Sequence, residues 1–463
     1  MEFSEELDLK MKGPRDPLLS PEEDGGGDVV DILKTRDGDL KTRRQKPFLT
    51  RRVRWQVAIF CCLFLGYFSI ILCRVGTEVS LAAMTDDKEL EFTKFDAGTV
   101  LAYGNGAYIV GKMLAGAVAD TFGGKRVMIS ALTAVVFFTS LYANVYIKVF
   151  FIAIFMVNKI CMSSGWPALT KLVCIWFDEE HYGKVFSGMS IASRSGGLAS
   201  TFLLGGLLSA GLHWRVILFV AATVAFCMML VSVCILRESP VDLGLQPSIK
   251  KPKDDFKGGN GHPLEKAKLM EALLYFARSP AFWCLGIANL FLTGCMEMQS
   301  ILPLYFKDSL HLSPGHAALV ASSFQAGAVA SLMIGGIVYD HISPRSRFLF
   351  LTSLLGVSTG CLIILWRVPD ITIPLAGVVV FVLGATISTP YYIPGGVFSM
   401  SFGGERYCST LVSILDVFGY CASITMDSIM GAMPWHDLFT AQVVSCVMAL
   451  VFLGVFMCTK AAR

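Results

Sequence analysis

Twelve apolar stretches dominate this 463-residue chain, read at 55–83, 95–119, 126–147, 149–176, 184–209, 214–236, 280–305, 313–339, 347–366, 373–400, 407–432 and 437–459. Each is long enough to cross roughly 30 Å of hydrocarbon, which takes about 20 helical residues. In lipid every backbone amide must be paired inside the protein, so stretches of this length must be helices. The composition agrees: 54% of residues are hydrophobic, only 16% are charged, and the mean hydropathy is +0.60. A soluble domain carries nearer a quarter charged residues. The sequence therefore predicts an all-α membrane protein of twelve transmembrane helices.

A formal net charge of +3 is too small to suggest a nucleic-acid partner, but the placement of the charge is informative. Basic residues crowd the N-terminal segment (Lys41, Arg43, Arg44, Lys46, Arg51, Arg52, Arg54) and the stretch after the sixth run (Arg237, Lys250, Lys251, Lys253, Lys257). They recur at Lys125, Arg126, Lys184, Arg345 and Arg347, whereas the alternate loops carry few, such as Lys148 and Arg367. By the positive-inside rule both termini and the central loop are cytoplasmic.

All fourteen cysteines lie in or beside apolar runs, Cys61, Cys62, Cys73, Cys227 and Cys446 among them, and read as buried small hydrophobes rather than disulfides. No Cys/His cluster has zinc spacing, so no metal and no cofactor is expected. Residues 1–54 read as a disordered cytoplasmic tail, too poor in apolar residues to fold alone and without a cleavable signal peptide. Leu18–Leu19 beside Glu22, Glu23 and Asp24 is similar to a sorting signal, although the acid spacing is wrong for the usual form. The alternative is a plain tail. Endoplasmic reticulum, lysosome and plasma membrane stay open as locations.

The polar stretch 237–279 divides the runs six and six, giving an N-terminal half at 55–236 and a C-terminal half at 280–463. The halves repeat each other. Gly116-Ala-Val-Ala-Asp120 ends the second run and Gly336-Ile-Val-Tyr-Asp340 ends the eighth, each followed by basic residues. Phe177-Asp-Glu-Glu-His-Tyr182 precedes the fifth run as Phe402-Gly-Gly-Glu-Arg-Tyr407 precedes the eleventh. Two pseudo-symmetric six-helix halves are the organisation of alternating-access carriers, which hold a substrate between the halves near the midplane.

The segment from Gly116 to Arg126, with Asp120, Gly123, Gly124 and Lys125 between, resembles the signature loop of the major facilitator superfamily. Gly116 lets two helices approach closely. Asp120 with Lys125 and Arg126, and Asp340 with Arg345, then read as a cytoplasmic charge latch that breaks when the halves rock; the alternative is loop charge that merely orients helices.

Further stretches resemble the organophosphate:phosphate antiporter family within that superfamily. They are Tyr67-Phe-Ser-Ile-Ile-Leu-Cys-Arg74, Ala107-Tyr108-Ile-Val-Gly-Lys112-Met-Leu-Ala-Gly116, Gly165-Trp166-Pro167 with Trp176-Phe177 and Gly183, Gly196-Gly197, and Pro240-Val-Asp-Leu-Gly244-Leu245. A weaker match is Phe381-Val-Leu-Gly384-Ala385. The likeness spans nearly the whole chain but is dense only in the first half. It implies the major facilitator fold and a monomeric carrier in the bilayer that exchanges a phosphorylated sugar or a glycerol-phosphate-like anion for phosphate. The substrate site it implies includes Tyr67, Arg74, Tyr108, Lys112, Trp166 and Ser193, the last standing where the glycerol-phosphate carriers have histidine.

Ionisable residues inside a membrane are costly, and each calls for a function or a partner. Arg74 has a planar fork suited to phosphate; alternatively it pairs with Glu78 one turn on or reaches the far interface. Lys112 either meets an anion or pairs with Asp416, itself a candidate substrate-binding residue, since helices two and eleven lie side by side in this superfamily. Arg194 either holds an anion or packs. The sequence departs from the family in helix seven, where family members carry a basic residue: alignment puts Cys295 or Met296 there, with Glu297 adjacent. Glu297 admits a zwitterionic or cationic substrate instead. A sensor that kept the fold without moving its ligand is a further alternative. No nucleophile–base pair or paired acids suggest an enzyme, so no catalytic residue is expected.

Overall fold

The computed structural model describes residues 50–84, 87, 90, 92–248, 262–312, 314–368, 371–430 and 433–459. The readings made for residues 1–49, including Leu18–Leu19, lie outside the described residues. Described residues from 52 onward pack as one compact unit. Among the described residues the regular structure is helical throughout, and the likeness to the twelve predicted runs is close.

Among the described residues, twelve helices correspond to the predicted runs: α1 (Arg51–Met84), α2 (Lys94–Phe122), α3 (Gly124–Ala143), α4 (Lys148–Trp176), α5 (Tyr182–Ser209) and α6 (Trp214–Ile235), then α7 (Pro280–Ser309), α8 (Pro314–His341), α9 (Pro344–Arg367), α10 (373–403), α11 (408–430) and α12 (Trp435–Cys458). α10 and α11 form one run, Ile373–Met430, divided by non-helical backbone at Gly404 (φ 62°) and Tyr407 (φ −129°). Nine stretches among the described residues are long and apolar enough to cross a membrane, and one of these contains both α10 and most of α11. α2 and α5 are the less apolar helices, thinned by Gly106, Gly111, Lys112, Arg194, Gly196 and Gly197. Both line the central cavity described below.

Local chemistry sets the ends. Thr93 and Asp96 form a capping box that opens α2, and Pro280 and Pro344 occupy first-turn positions, where their missing N–H costs nothing. α1 begins at Arg51, so residues 51–54 belong to a helix and not to the tail the sequence reading placed there. The first turn is held by Arg52, which donates to Asp178 at 2.7 Å, an attachment that tail composition could not reveal. Within the 237–279 segment, Pro240–Leu243 forms a short 3-10 turn and Leu269–Arg278 a ten-residue helix.

Buried side chains among the described residues fall into three clusters, two of them large. One spans Leu264 to Met457. The other runs from Ile59 to Leu236 and takes in Met400, Cys408 and Val412 from the α10–α11 turn. The outer surface is apolar, with Met113, Phe137, Val149, Ile334 and Leu349 exposed, as hydrocarbon surroundings require. The cysteine reading needs a correction. All fourteen are free thiols, yet Cys61 and Cys227 are on the outer face while Cys62, Cys73 and Cys446 are buried. In a membrane an apolar residue is satisfied on either side of the helix, so hydrophobicity alone did not separate the two.

Candidate functional site: a central cavity

α2 packs against α11 and α5 against α8 at the end of the bundle that carries the 237–279 segment, here the linker end. Two glycines make these approaches possible. A Cβ on Gly116 would stand 2.6 Å from the Thr410 Cα, and one on Gly336 would stand 2.8 Å from the Lys184 Cα. The pair is the sequence repeat made physical: each glycine lies four residues before an aspartate that caps the facing helix. Asp120 Oδ2 accepts the Thr410 N–H and the Thr410 hydroxyl, both at 2.7 Å, at the start of α11. Asp340 accepts the N–H groups of Gly183 and Lys184, both at 2.8 Å, at the start of α5. A carboxylate there satisfies orphan amides and meets the positive end of the helix dipole.

The latch therefore differs from the sequence expectation in its partners. The cation on Asp120 is Lys171 of α4, at 3.0 Å, and not Lys125 or Arg126. Gly123, at φ 90°, turns the chain so that the N–H groups of Gly124 and Lys125 point at Glu238 (2.7 and 2.9 Å), and Arg126 is exposed. Among the described residues Arg345 makes no ion pair with Asp340 and is exposed; its neighbour Arg347 donates to the Tyr339 carbonyl and stacks on that ring. Lys171 also reaches the carbonyls of Glu405 and Arg406, tying α4 to the α10–α11 turn.

Beyond this closure lies a cavity of about 940 Å³. All nine residues read from the sequence as substrate-binding line it: Tyr67, Arg74, Tyr108, Lys112, Trp166, Ser193, Arg194, Glu297 and Asp416. The lining continues through Leu101, Phe202, Leu319 and Ile424, which lie toward the far ends of α2, α5, α8 and α11. Closed at the linker end, the cavity extends toward the opposite end.

The embedded charges have these partners in the structure. Lys112, only 2% exposed, donates to Asp416 at 2.6 Å, so the ion pair between α2 and α11 is the one realised. Arg74 both lines the cavity and approaches Glu78, with Nε 3.6 Å from Oε1, too long for a hydrogen bond. Its guanidinium lies over the Tyr108 ring, 4.8 Å from the centroid. Arg194 donates from Nη1 to Gln299 at 2.6 Å and lies over Tyr392 at 5.2 Å, while its Nε is buried without a hydrogen-bond partner. Gln325 donates to the same Gln299 oxygen. Arg194 thus uses few of its five donors in this state.

Helix α7 is interrupted at Glu297, which sits between Pro280–Met296 and Met298–Ser309. Glu297 accepts the Ser423 hydroxyl at 2.6 Å and faces the cavity with Met296, whereas Cys295 is buried and donates toward the Gln442 carbonyl. Of the two positions left open by alignment, only Met296 reaches the cavity. The walls are aromatic: Tyr67 packs against Trp166 at 5.1 Å and Tyr108 against Tyr420 at 5.0 Å.

Sequence reasoning missed Lys159, Lys171, Tyr391, Tyr392, Gln299, Gln325 and Tyr420. The two lysines carried a usable signal, since both interrupt the apolar run 149–176 and fall under the rule that singled out Lys112. The aromatic and amide residues carried none, because nothing in an apolar run says which side of a helix meets a cavity.

Residues 59–426 match the family described as Major Facilitator Superfamily. A glycerol-3-phosphate transporter of Bacillus subtilis (strain 168) is 23% identical, over 87% of this chain and 92% of that protein. A probable hexose phosphate transport protein of Chlamydia muridarum is also 23% identical, over 86% of this chain and 90% of that one. Among solved structures, the proton:xylose symporter XylE bound to 6-bromo-6-deoxy-D-glucose superposes with a TM-score of 0.67 at 12% identity, covering 87% of this chain and 96% of that one. At that identity the likeness speaks for the fold.

Proposed function

The chain belongs to the Major Facilitator Superfamily, and on that premise we propose that it is a secondary carrier exchanging a phosphorylated sugar or glycerol-phosphate-like anion for phosphate by alternating access. The observation that carries this reading is the convergence of two guanidinium groups, Arg74 from α1 and Arg194 from α5, on one cavity closed at the linker end. Guanidinium groups hold phosphate through parallel hydrogen bonds and stay charged at any physiological pH. The names of the Bacillus and Chlamydia relatives support the substrate class.

Arg74 and Arg194 are the anion-holding groups. Lys112 acts through Asp416, and Tyr67, Tyr108, Trp166 and Ser193 shape the walls. Asp120, Asp340, Gly116 and Gly336 keep the linker end shut. Residues 55–236 and 280–463 move as the two halves, with 237–279 joining them. The positive-inside pattern supports a cytoplasmic linker and termini, which makes this an outward-open state. The protein makes and breaks no bond in its substrate. A second reading, a zwitterionic substrate, is favoured by one observation: Glu297 faces the same cavity from the other half.

The test is exchange in proteoliposomes loaded with phosphate. Labelled glycerol phosphate and hexose phosphate should enter against internal phosphate, while plain carboxylates and amino acids should not. Uptake of amino acids in place of phosphate esters would move the assignment to the second reading. No uptake, with phosphate esters still bound, would identify a sensor.

A further inference from the structure

Glu78 lies on α1 one turn beyond Arg74 and lines the cavity, where a lone carboxylate would cancel the arginine an anion needs. It is not alone. Its Oε1 accepts a hydrogen bond from Lys159 Nζ at 2.6 Å, whereas Arg74 Nε stands 3.6 Å from that same oxygen. The first distance is a charge-assisted hydrogen bond and the second is not a hydrogen bond.

Lys159 comes from α4. Its side chain is 1% exposed, it does not line the cavity, and its ammonium lies 5.0 Å from the Phe155 ring centroid. No solute in the cavity reaches it. A buried lysine of this kind is expensive to hold in a membrane and needs a partner or a purpose. The charges facing the cavity are Arg74, Lys112 and Arg194 against Glu78, Asp416 and Glu297. That balance is neutral, an unpromising environment for a phosphate ester. Lys159, standing behind Glu78, tips it by one positive charge.

We propose that Lys159 is a positioning residue for substrate: by taking the hydrogen bond of Glu78 it keeps that carboxylate from closing on Arg74, whose guanidinium binds the anion. The inference rests on the anion-carrier reading of the cavity and adds to it a residue that never touches the substrate. Removing the ammonium while leaving Glu78 would let the carboxylate close on Arg74. Removing both charges would leave Arg74 as available as before.

The experiment measures the Kd of labelled inorganic phosphate, with glucose 6-phosphate as second probe, for purified full-length protein. Lys159→Met should weaken binding by about tenfold or more, as expected for one charged hydrogen bond lost from the anion. Lys159→Met/Glu78→Gln should recover most of that loss, and Lys159→Arg should bind like the wild type. Lys159→Met binding like the wild type, or a double variant as weak as the single one, overturns the proposal. If Lys159→Met does not fold, the double variant decides: a loss under tenfold supports the proposal and a larger loss overturns it. Wild-type protein that binds neither probe sinks the anion-carrier reading itself, a result distinct from failure of the Lys159 variants.

Discussion

Thr410 gives both its backbone N–H and its hydroxyl to one oxygen of Asp120, each at 2.7 Å, across the seam between α2 and α11. Asp340 makes the counterpart contact with Gly183 and Lys184 across the seam between α8 and α5. The repeated aspartates therefore do one job twice, each capping a helix of the opposite six. Asp120→Asn keeps the size but loses the charge, and charged hydrogen bonds contribute about 1.5–3 kcal/mol each. The closed linker end should be destabilised, with maximal exchange slowed about tenfold and substrate Kd changed less than about threefold. Transport kinetics beside equilibrium binding check this; a collapse of affinity at normal turnover would contradict the latch.

Gly336→Ala tests the close approach. The added methyl would meet the Lys184 backbone, and overpacking of a tight interface costs about 1–3 kcal/mol. Gly106→Ala is the control, because nothing lies within 4 Å of a Cβ there. The first variant should lower the melting temperature in detergent and slow exchange, and the second should do neither. Equal behaviour of the two would mean the seam is looser than described.

Lys112 and Asp416 are read as a structural pair whose lysine is 2% exposed. Asp416→Asn strands that ammonium, at about 3–5 kcal/mol for a fully buried pair and nearer the lower end here, since Asp416 is 24% exposed. Thermal melting should fall for Asp416→Asn and recover in Asp416→Asn/Lys112→Met. If Asp416→Asn melts normally but binds substrate poorly, Asp416 contacts the substrate directly.

The spans and the repeat were legible in the sequence because each depends on local pattern: twenty apolar residues in line, or Gly116-to-Asp120 returning as Gly336-to-Asp340. All nine candidate residues also reached the cavity: Arg74, Lys112, Arg194, Glu297 and Asp416 were marked by the cost of a charge in lipid, and Tyr67, Tyr108, Trp166 and Ser193 by the family resemblance. Partners were harder. Asp120 meets Lys171, fifty-one positions away, and not the adjacent Lys125 and Arg126, because Gly123 redirects the chain. Lys159 was overlooked although it interrupts an apolar run, and its role depends on Glu78, eighty-one positions away. Helix packing decides such pairs, and one sequence does not contain it.

The most direct test of the central claim is exchange of labelled phosphate in proteoliposomes bearing wild type, Arg74→Lys, Arg74→Gln or Glu297→Gln. Arg74→Lys keeps the charge but loses the fork, which should cost about 1.5–3 kcal/mol, or one to two decades in affinity. Arg74→Gln should cost more, and Glu297→Gln should leave phosphate exchange in place. Arg74→Gln that still exchanges every accepted anion, with Glu297→Gln inactive, would contradict the account and point to a cationic or zwitterionic substrate.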